Sequence, residues 1–212
     1  MARLRTSRNR ARHWHDVYSH GTDTRFSWFE PEPRCSLEML DALAVRSDDP
    51  VIDVGTGASR LIDALLDRGF GDVAALDISA MGPSRTRERV GAAAEQVDWV
   101  IDDLLRWVPR RRYAAWHDRG LFHFLTGPAD RRRYLELLDA ALVPGGAVVV
   151  GVFAEDGPRT CAGLRTARYS PDTLARTITR DPTTETIALA REMHATPTGT
   201  LQPFTWIAAR RR

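Results

Sequence analysis

Three carboxylates in this chain stand where short apolar runs give way to turns. Asp53 lies within Val51-Ile52-Asp53-Val54, directly ahead of Gly55-Thr56-Gly57. Asp77 falls near the end of Val73-Ala74-Ala75-Leu76-Asp77-Ile78, and Asp103 follows Val97-Asp98-Trp99-Val100-Ile101. Both oxygens of a carboxylate accept hydrogen bonds, so Asp77 suits a diol, which offers two donors. An acid roughly 20 residues beyond a glycine loop is where open α/β sheets hold a ribose. Asp103 is preferred to Asp102 because the next amide, that of Leu104, can donate to an adenine ring whose amino group the acid binds. Farther along, Asp118 and His123 are the candidates for proton transfer. Each has a second reading: Asp118 as a helix cap or cofactor contact, His123 as a packing histidine. Arg119 can orient an anionic substrate or pair with a carboxylate.

The elements that must position these groups read as alternating strands and helices. Val51–Val54 is a short, β-branched, buried strand. The two glycines turn it into a helix, Arg60 to Arg68, with Leu61, Ala64, Leu65 and Leu66 inward. Gly57 has no side chain to obstruct a ligand approaching the backbone. A dinucleotide-binding loop needs a third glycine three positions after the second, and that position is Arg60. The acid-x-Gly-x-Gly pattern of S-adenosylmethionine loops fits instead, with Ser59 where the last glycine usually stands. Further strands are expected at Val73–Ile78, Val97–Ile101, Tyr113–His117 and Ala147–Phe153. Helices are expected at Ser36–Val45, Arg85–Ala94 and Asp130–Leu142, with a turn at Gly82-Pro83 and a further helix start at Ser170-Pro171. Thr184–His194 and Pro203–Ala209 read as an antiparallel pair. The fold class is α/β: a Rossmann-like, open, mostly parallel sheet of about seven strands, closed by that pair, with helices on both faces.

Composition narrows the classes. A length of 212 residues suits one domain, and a net charge of +2 does not mark the body as a nucleic-acid binder. Two cysteines without metal-site spacing point to the cytoplasm, and the longest apolar run, Ala147 to Ala154, is too short to span a bilayer. Residues 1–12 carry five arginines and almost nothing apolar, and read as a basic disordered tail or a contact for an acidic partner. The domain proper is residues 13–212. Within it, residues 13–36 hold Trp14, Tyr18 and Phe26-Ser27-Trp28-Phe29, either plain core or an aromatic lid suited to adenine and a sulfonium.

Asp53-Val54-Gly55-Thr56-Gly57, Leu76-Asp77-Ile78-Ser79, Asp103-Leu104 and Pro144-Gly145-Gly146 occur in the order found in class I S-adenosylmethionine-dependent methyltransferases, which the chain resembles over roughly residues 13 to 209. Trp116–Gly120 with Asp130–Tyr134 is similar to the thiopurine methyltransferase-like branch, although His117 separates the tryptophan from the aspartate. Trp14, Tyr18, Trp28 and Phe29 are similar to the elongation-factor lysine methyltransferase-like branch. The resemblance implies a methyl transfer to an N, O or S nucleophile of a small molecule, with a protein lysine as the alternative; the arginine-rich start makes nucleic-acid binding a distant third. It implies a cofactor site of Trp14, Tyr18, Trp28, Asp53, Gly55, Thr56, Gly57, Asp77, Ile78, Asp103, Leu104, Asp118 and Arg119. It also implies that Trp14, Tyr18 and Trp28 close over the cofactor; no metal and no membrane are implied.

Overall fold

A computed structural model describes residues 6–180 and 183–212. The chain runs through α1 (Ser7–Ser19), α2 (Arg34–Ala42), β1 (Val51–Val54), α3 (Leu61–Asp67), β2 (Val73–Asp77), α4 (Met81–Val90), β3 (Val97–Ile101), β4 (Tyr113–Arg119), α5 (Pro128–Ala141) and β5 (Leu142–Phe153). A small hairpin, β6 (Thr160–Cys161) and β7 (Leu164–Arg165), precedes α6 (Pro171–Ile178), β8 (Thr184–Ala195) and β9 (Leu201–Arg211). Seven strands form one sheet in the order β3-β2-β1-β4-β5-β9-β8, parallel except where β9 pairs antiparallel with β5 and β8. The order reverses between β1 and β4, and an open sheet of this kind has its ligand crevice beyond the strand ends at that point.

Alternation along the strands divides the core. Ile52, Val54, Trp116, Val148 and Val150 pack on one face with Tyr134, Leu137 and Leu138 of α5 and Leu174 and Ile178 of α6. Val51, Ala75, Ala115 and Val149 pack on the other with Met39 and Leu40 of α2 and Leu61, Ile62 and Leu65 of α3. Asp53 shares the second face, so its side chain is turned toward the α2 side. Among the described residues no helix is long and apolar enough to cross a membrane.

Several boundaries depart from the sequence reading, each for a local reason. Helix α1 begins at Ser7, inside the stretch expected to be a tail, because Thr6 caps it by accepting the Asn9 N–H at 3.2 Å. The stretch expected to be a disordered tail is thus helical over residues 7–12; Met1–Arg5 lie outside the described residues. The turn expected at Gly82-Pro83 is instead the first turn of α4, where the missing proline N–H has no intrahelical partner to lose. Gly82 is needed there: a Cβ would stand 2.7 Å from the carbonyl carbon of Gly57, so the start of α4 rests on the glycine loop. Strand β4 continues through Asp118 and Arg119, and the chain leaves it only at Gly120, whose φ of +85° favours glycine.

Candidate active site

The ends of β1, β2 and β3 build one half of a single cavity. Gly55 (φ +70°) and Gly57 (φ +53°) turn the chain out of β1. A Cβ on Gly55 would meet Leu121 at 2.7 Å, and one on Gly57 would collide with the Tyr18 hydroxyl. The loop is tied to the next strand by Asp77, whose carboxylate accepts the Gly57 N–H at 2.8 Å and the Ser79 N–H at 2.9 Å. Burial pushes the Asp77 carboxyl up to about 6, against the lowering effect of those two bonds. Asp53, Gly55, Thr56, Asp77, Ile78, Asp103 and Leu104 all line the cavity. Asp102 is exposed and does not, so the geometry favours Asp103.

Asp53 is positioned by a group the sequence reading passed over. The parallel register sets Asp53 of β1 beside His117 of β4. The His117 Nδ1 lies 2.7 Å from Asp53 Oδ1, and its Nε2 lies 2.9 Å from Ser36 Oγ on α2, all three residues being buried. The remaining oxygen, Asp53 Oδ2, is buried with no hydrogen-bond partner among the described residues, as is Thr56 Oγ1. The residue that interrupts the Trp-Asp-Arg-Gly pattern thus holds the β1 acid with one oxygen left for a cationic donor.

The other half of the cavity lies beyond β4, β5 and β9, lined by Arg119, His123, Phe153, Cys161 and Phe204. His123 is buried, and neither ring nitrogen has a partner among the described residues. Burial, with the Arg119 cation nearby, lowers its pKa to about 3 and keeps the imidazole neutral. Arg119 pairs with Glu30 (2.7 Å), donates to the Trp28 carbonyl (2.9 Å) and lies over the Phe204 ring. Of its two sequence readings, pairing with a carboxylate is the one observed.

A roof covers both halves. Trp14, Tyr18, Phe26 and Trp28 line the cavity and form one aromatic cluster, with Phe26 and Trp28 stacked at 4.8 Å and Trp14 edge-on to Phe124 at 5.1 Å. Arg85 of α4 donates to the Tyr18 carbonyl and pairs with Asp23 at 2.7 Å, fixing the end of α1. Arg10 of α1 pairs with Asp103 at the edge of the cavity.

Residues 51–146, a strand-by-strand alternation from β1 to β5, match the family model described as a methyltransferase domain. Residues 51–146 thus carry a methyltransferase domain, and the chain as a whole resembles the class I S-adenosylmethionine-dependent methyltransferases. A methyltransferase of Anabaena variabilis shares the fold of this one with a TM-score of 0.73 at 16% identity, over 97% of this chain and 95% of its own. The N-methyltransferase NodS of Bradyrhizobium japonicum, in complex with S-adenosylhomocysteine, gives 0.69 at 13% identity over 94% and 98%. The 1,6-didemethyltoxoflavin-N1-methyltransferase of Burkholderia thailandensis, with 1,6-didemethyltoxoflavin and S-adenosylhomocysteine bound, gives 0.68 at 23% identity over 100% and 92%. No curated protein matches the chain in sequence.

Of the readings of Asp118 as base, cofactor contact or cap, its surroundings favour the cap. Its oxygens accept the N–H groups of Leu121 (2.9 Å) and Phe122 (3.1 Å) and the Tyr134 hydroxyl (2.8 Å), and it lies outside the cavity lining. Tyr134 in turn accepts the Trp116 indole N–H at 2.9 Å. Asp118 therefore caps the turn that presents His123. The other predicted site residues line the one cavity, except Gly57, which packs against Tyr18 and Gly82 beside it. Sequence reading missed His117, Arg10, Phe153, Cys161 and Phe204; a strand-end position was the available signal for Phe153 and, at the expected end of Tyr113–His117, for His117.

Proposed function

We propose that this methyltransferase passes a methyl group to an N, O or S nucleophile of a small molecule held in the cavity. The observation that carries this reading is the cavity itself. Three acids stand at one end, Asp53, Asp77 and Asp103, while the other end is an aromatic chamber under α1. Bound S-adenosylmethionine would supply an electrophilic methyl on a sulfonium. The residues fit that molecule's three polar parts. Asp53 Oδ2, buried and unpartnered, suits an ammonium group. Asp77 retains lone pairs for a ribose diol, and Asp103 with Leu104, which line the same end, would meet an adenine edge. Trp14, Tyr18 and Trp28 offer aromatic faces to adenine and sulfonium and exclude water.

What this chain contributes to the transfer is alignment, which can supply several kcal/mol through proximity, rather than covalent chemistry. His123 is the polar side chain at the acceptor end with free lone-pair capacity. Being neutral with a pKa of about 3, it orients a donor rather than removing its proton ahead of transfer. The experiment is a methyl-transfer screen with labelled S-adenosylmethionine against thiols, amines, phenols and lysate proteins. Label in a small-molecule fraction is the expected result. Label confined to a protein band would replace this reading with protein methylation.

A further inference from the structure

The acceptor end of the cavity specifies more than a small molecule. Its walls are aromatic: Phe153 and Phe204 meet at 4.9 Å, and His123 packs at 4.6 Å from Phe153 and 4.4 Å from Phe124. Aromatic walls select flat occupants, which gain offset or edge contacts with them. The charges at this end offset one another. The Arg119 cation lies 2.7 Å from Glu30 and donates to the Trp28 carbonyl, while its Nε is buried with no hydrogen-bond partner among the described residues. Glu30 is shared between Arg119 and His194 Nδ1 (3.5 Å). Burial keeps the Cys161 thiol protonated.

Beside the Arg119 Nε, one imidazole is left without a hydrogen-bond partner. His123 is 2% exposed with both ring nitrogens unpartnered, a cost the fold accepts unless a ligand satisfies it. The ring lines the cavity beside Gly120, where a Cβ would lie 3.7 Å from His123 Cε1 and 3.9 Å from Nε2, ordinary contact distances.

We propose that the β4–β5–β9 end of the cavity binds a neutral, planar heteroaromatic ring whose N–H donates to His123. This rests on reading the β1–β3 end as the S-adenosylmethionine site, since the ring would then be the methyl acceptor. The test is calorimetry on the full chain saturated with S-adenosylhomocysteine, titrated with four probes: benzimidazole, N-methylbenzimidazole, benzoate and cyclohexylamine. Benzimidazole should bind, and N-methylbenzimidazole, which lacks the donor, should bind at least about tenfold more weakly. Benzoate and the cyclohexylammonium ion should give no heat. In His123→Phe, which keeps a flat ring, benzimidazole should lose at least about tenfold in affinity while S-adenosylhomocysteine binds as before. Benzoate binding as tightly as benzimidazole, or indifference to N-methylation in the wild type, overturns the proposal even if the variant fails to fold. Bound S-adenosylhomocysteine with no benzimidazole binding overturns this inference alone, whereas failure of S-adenosylhomocysteine itself to bind overturns the cofactor reading and this inference with it.

Discussion

Two buried aspartates at strand ends have opposite fates. Asp77 lines the cavity with its oxygens oriented by the Gly57 and Ser79 amides, so its loss should be felt by the cofactor. Asp77→Ala is expected to weaken S-adenosylmethionine binding by about 1.5–3 kcal/mol, the worth of a charge-assisted diol contact, read by calorimetry on the purified variant. Unchanged affinity in a folded variant would remove Asp77 from the ribose site. Asp118 holds two amides and the Tyr134 hydroxyl instead. Asp118→Ala leaves those donors buried without a partner and should cost on the order of 3 kcal/mol of stability, measured by urea unfolding. If the variant were fully stable yet inactive, the structural role assigned to Asp118 would be wrong.

The element that decides access is α1 with the aromatic loop behind it. Neither Trp14 nor Tyr18 belongs to the two core clusters on the sheet, and Trp28 only packs against the edge of one. Removal of residues 1 to 30 should therefore leave a cooperatively unfolding domain that no longer binds cofactor. Loss of the thermal transition would make the segment part of the core. The segment is held at its two ends by Arg10 with Asp103 and by Arg85 with Asp23 and the Tyr18 carbonyl. Hydrogen exchange separates a lid from a fixed wall: amides between Arg12 and Phe29 should gain protection when S-adenosylhomocysteine is added. Equal protection with and without ligand would mean the wall is permanent.

The molecule as a whole should report both the ligand and the buried acids. A ligand at 100 times its Kd adds about 2.7 kcal/mol, which for a chain of this size is a rise in Tm of roughly 5–10 °C. S-adenosylhomocysteine should produce that rise and NADH should not; a comparable response to NADH would contradict the glycine-loop assignment. Proton linkage gives a second global signal. Burial raises the Asp118 carboxyl, and the Asp77 carboxyl likewise, to about 6, above the range of an unfolded chain. The folded state therefore binds these protons more tightly. Their contribution is fully present below about pH 4 and is lost as pH rises through about 6. The stability difference between wild type and Asp118→Asn should shift against the wild type across that interval, by on the order of 1–3 kcal/mol. A difference that is flat with pH would show that Asp118 ionises in the fold as it does in the unfolded chain.

Local chemistry made much of this legible in the residues alone. Val51–Val54 is apolar and β-branched, two glycines leave only one kind of turn, and Arg60 excludes a dinucleotide loop, so the strand, the loop and the ligand class follow without coordinates. Asp77 and Asp103 were found because acids that end apolar runs are conspicuous. Other features depend on contacts between residues distant in the chain, which no local pattern encodes. Whether Asp118 faces the cavity or the turn at Leu121 depends on where β4 ends. His117 reads as an interruption until the β1–β4 register sets it beside Asp53, 64 positions away. Arg10 sits in a stretch whose composition suggests a solvated tail, yet it pairs with Asp103, 93 positions on, because the aromatic face of α1 docks over the cavity and carries the arginine with it. Residue types determined the fold and the cofactor half of the site; strand register and the docking of α1 decided which polar groups are spent and which, like His123, are left open.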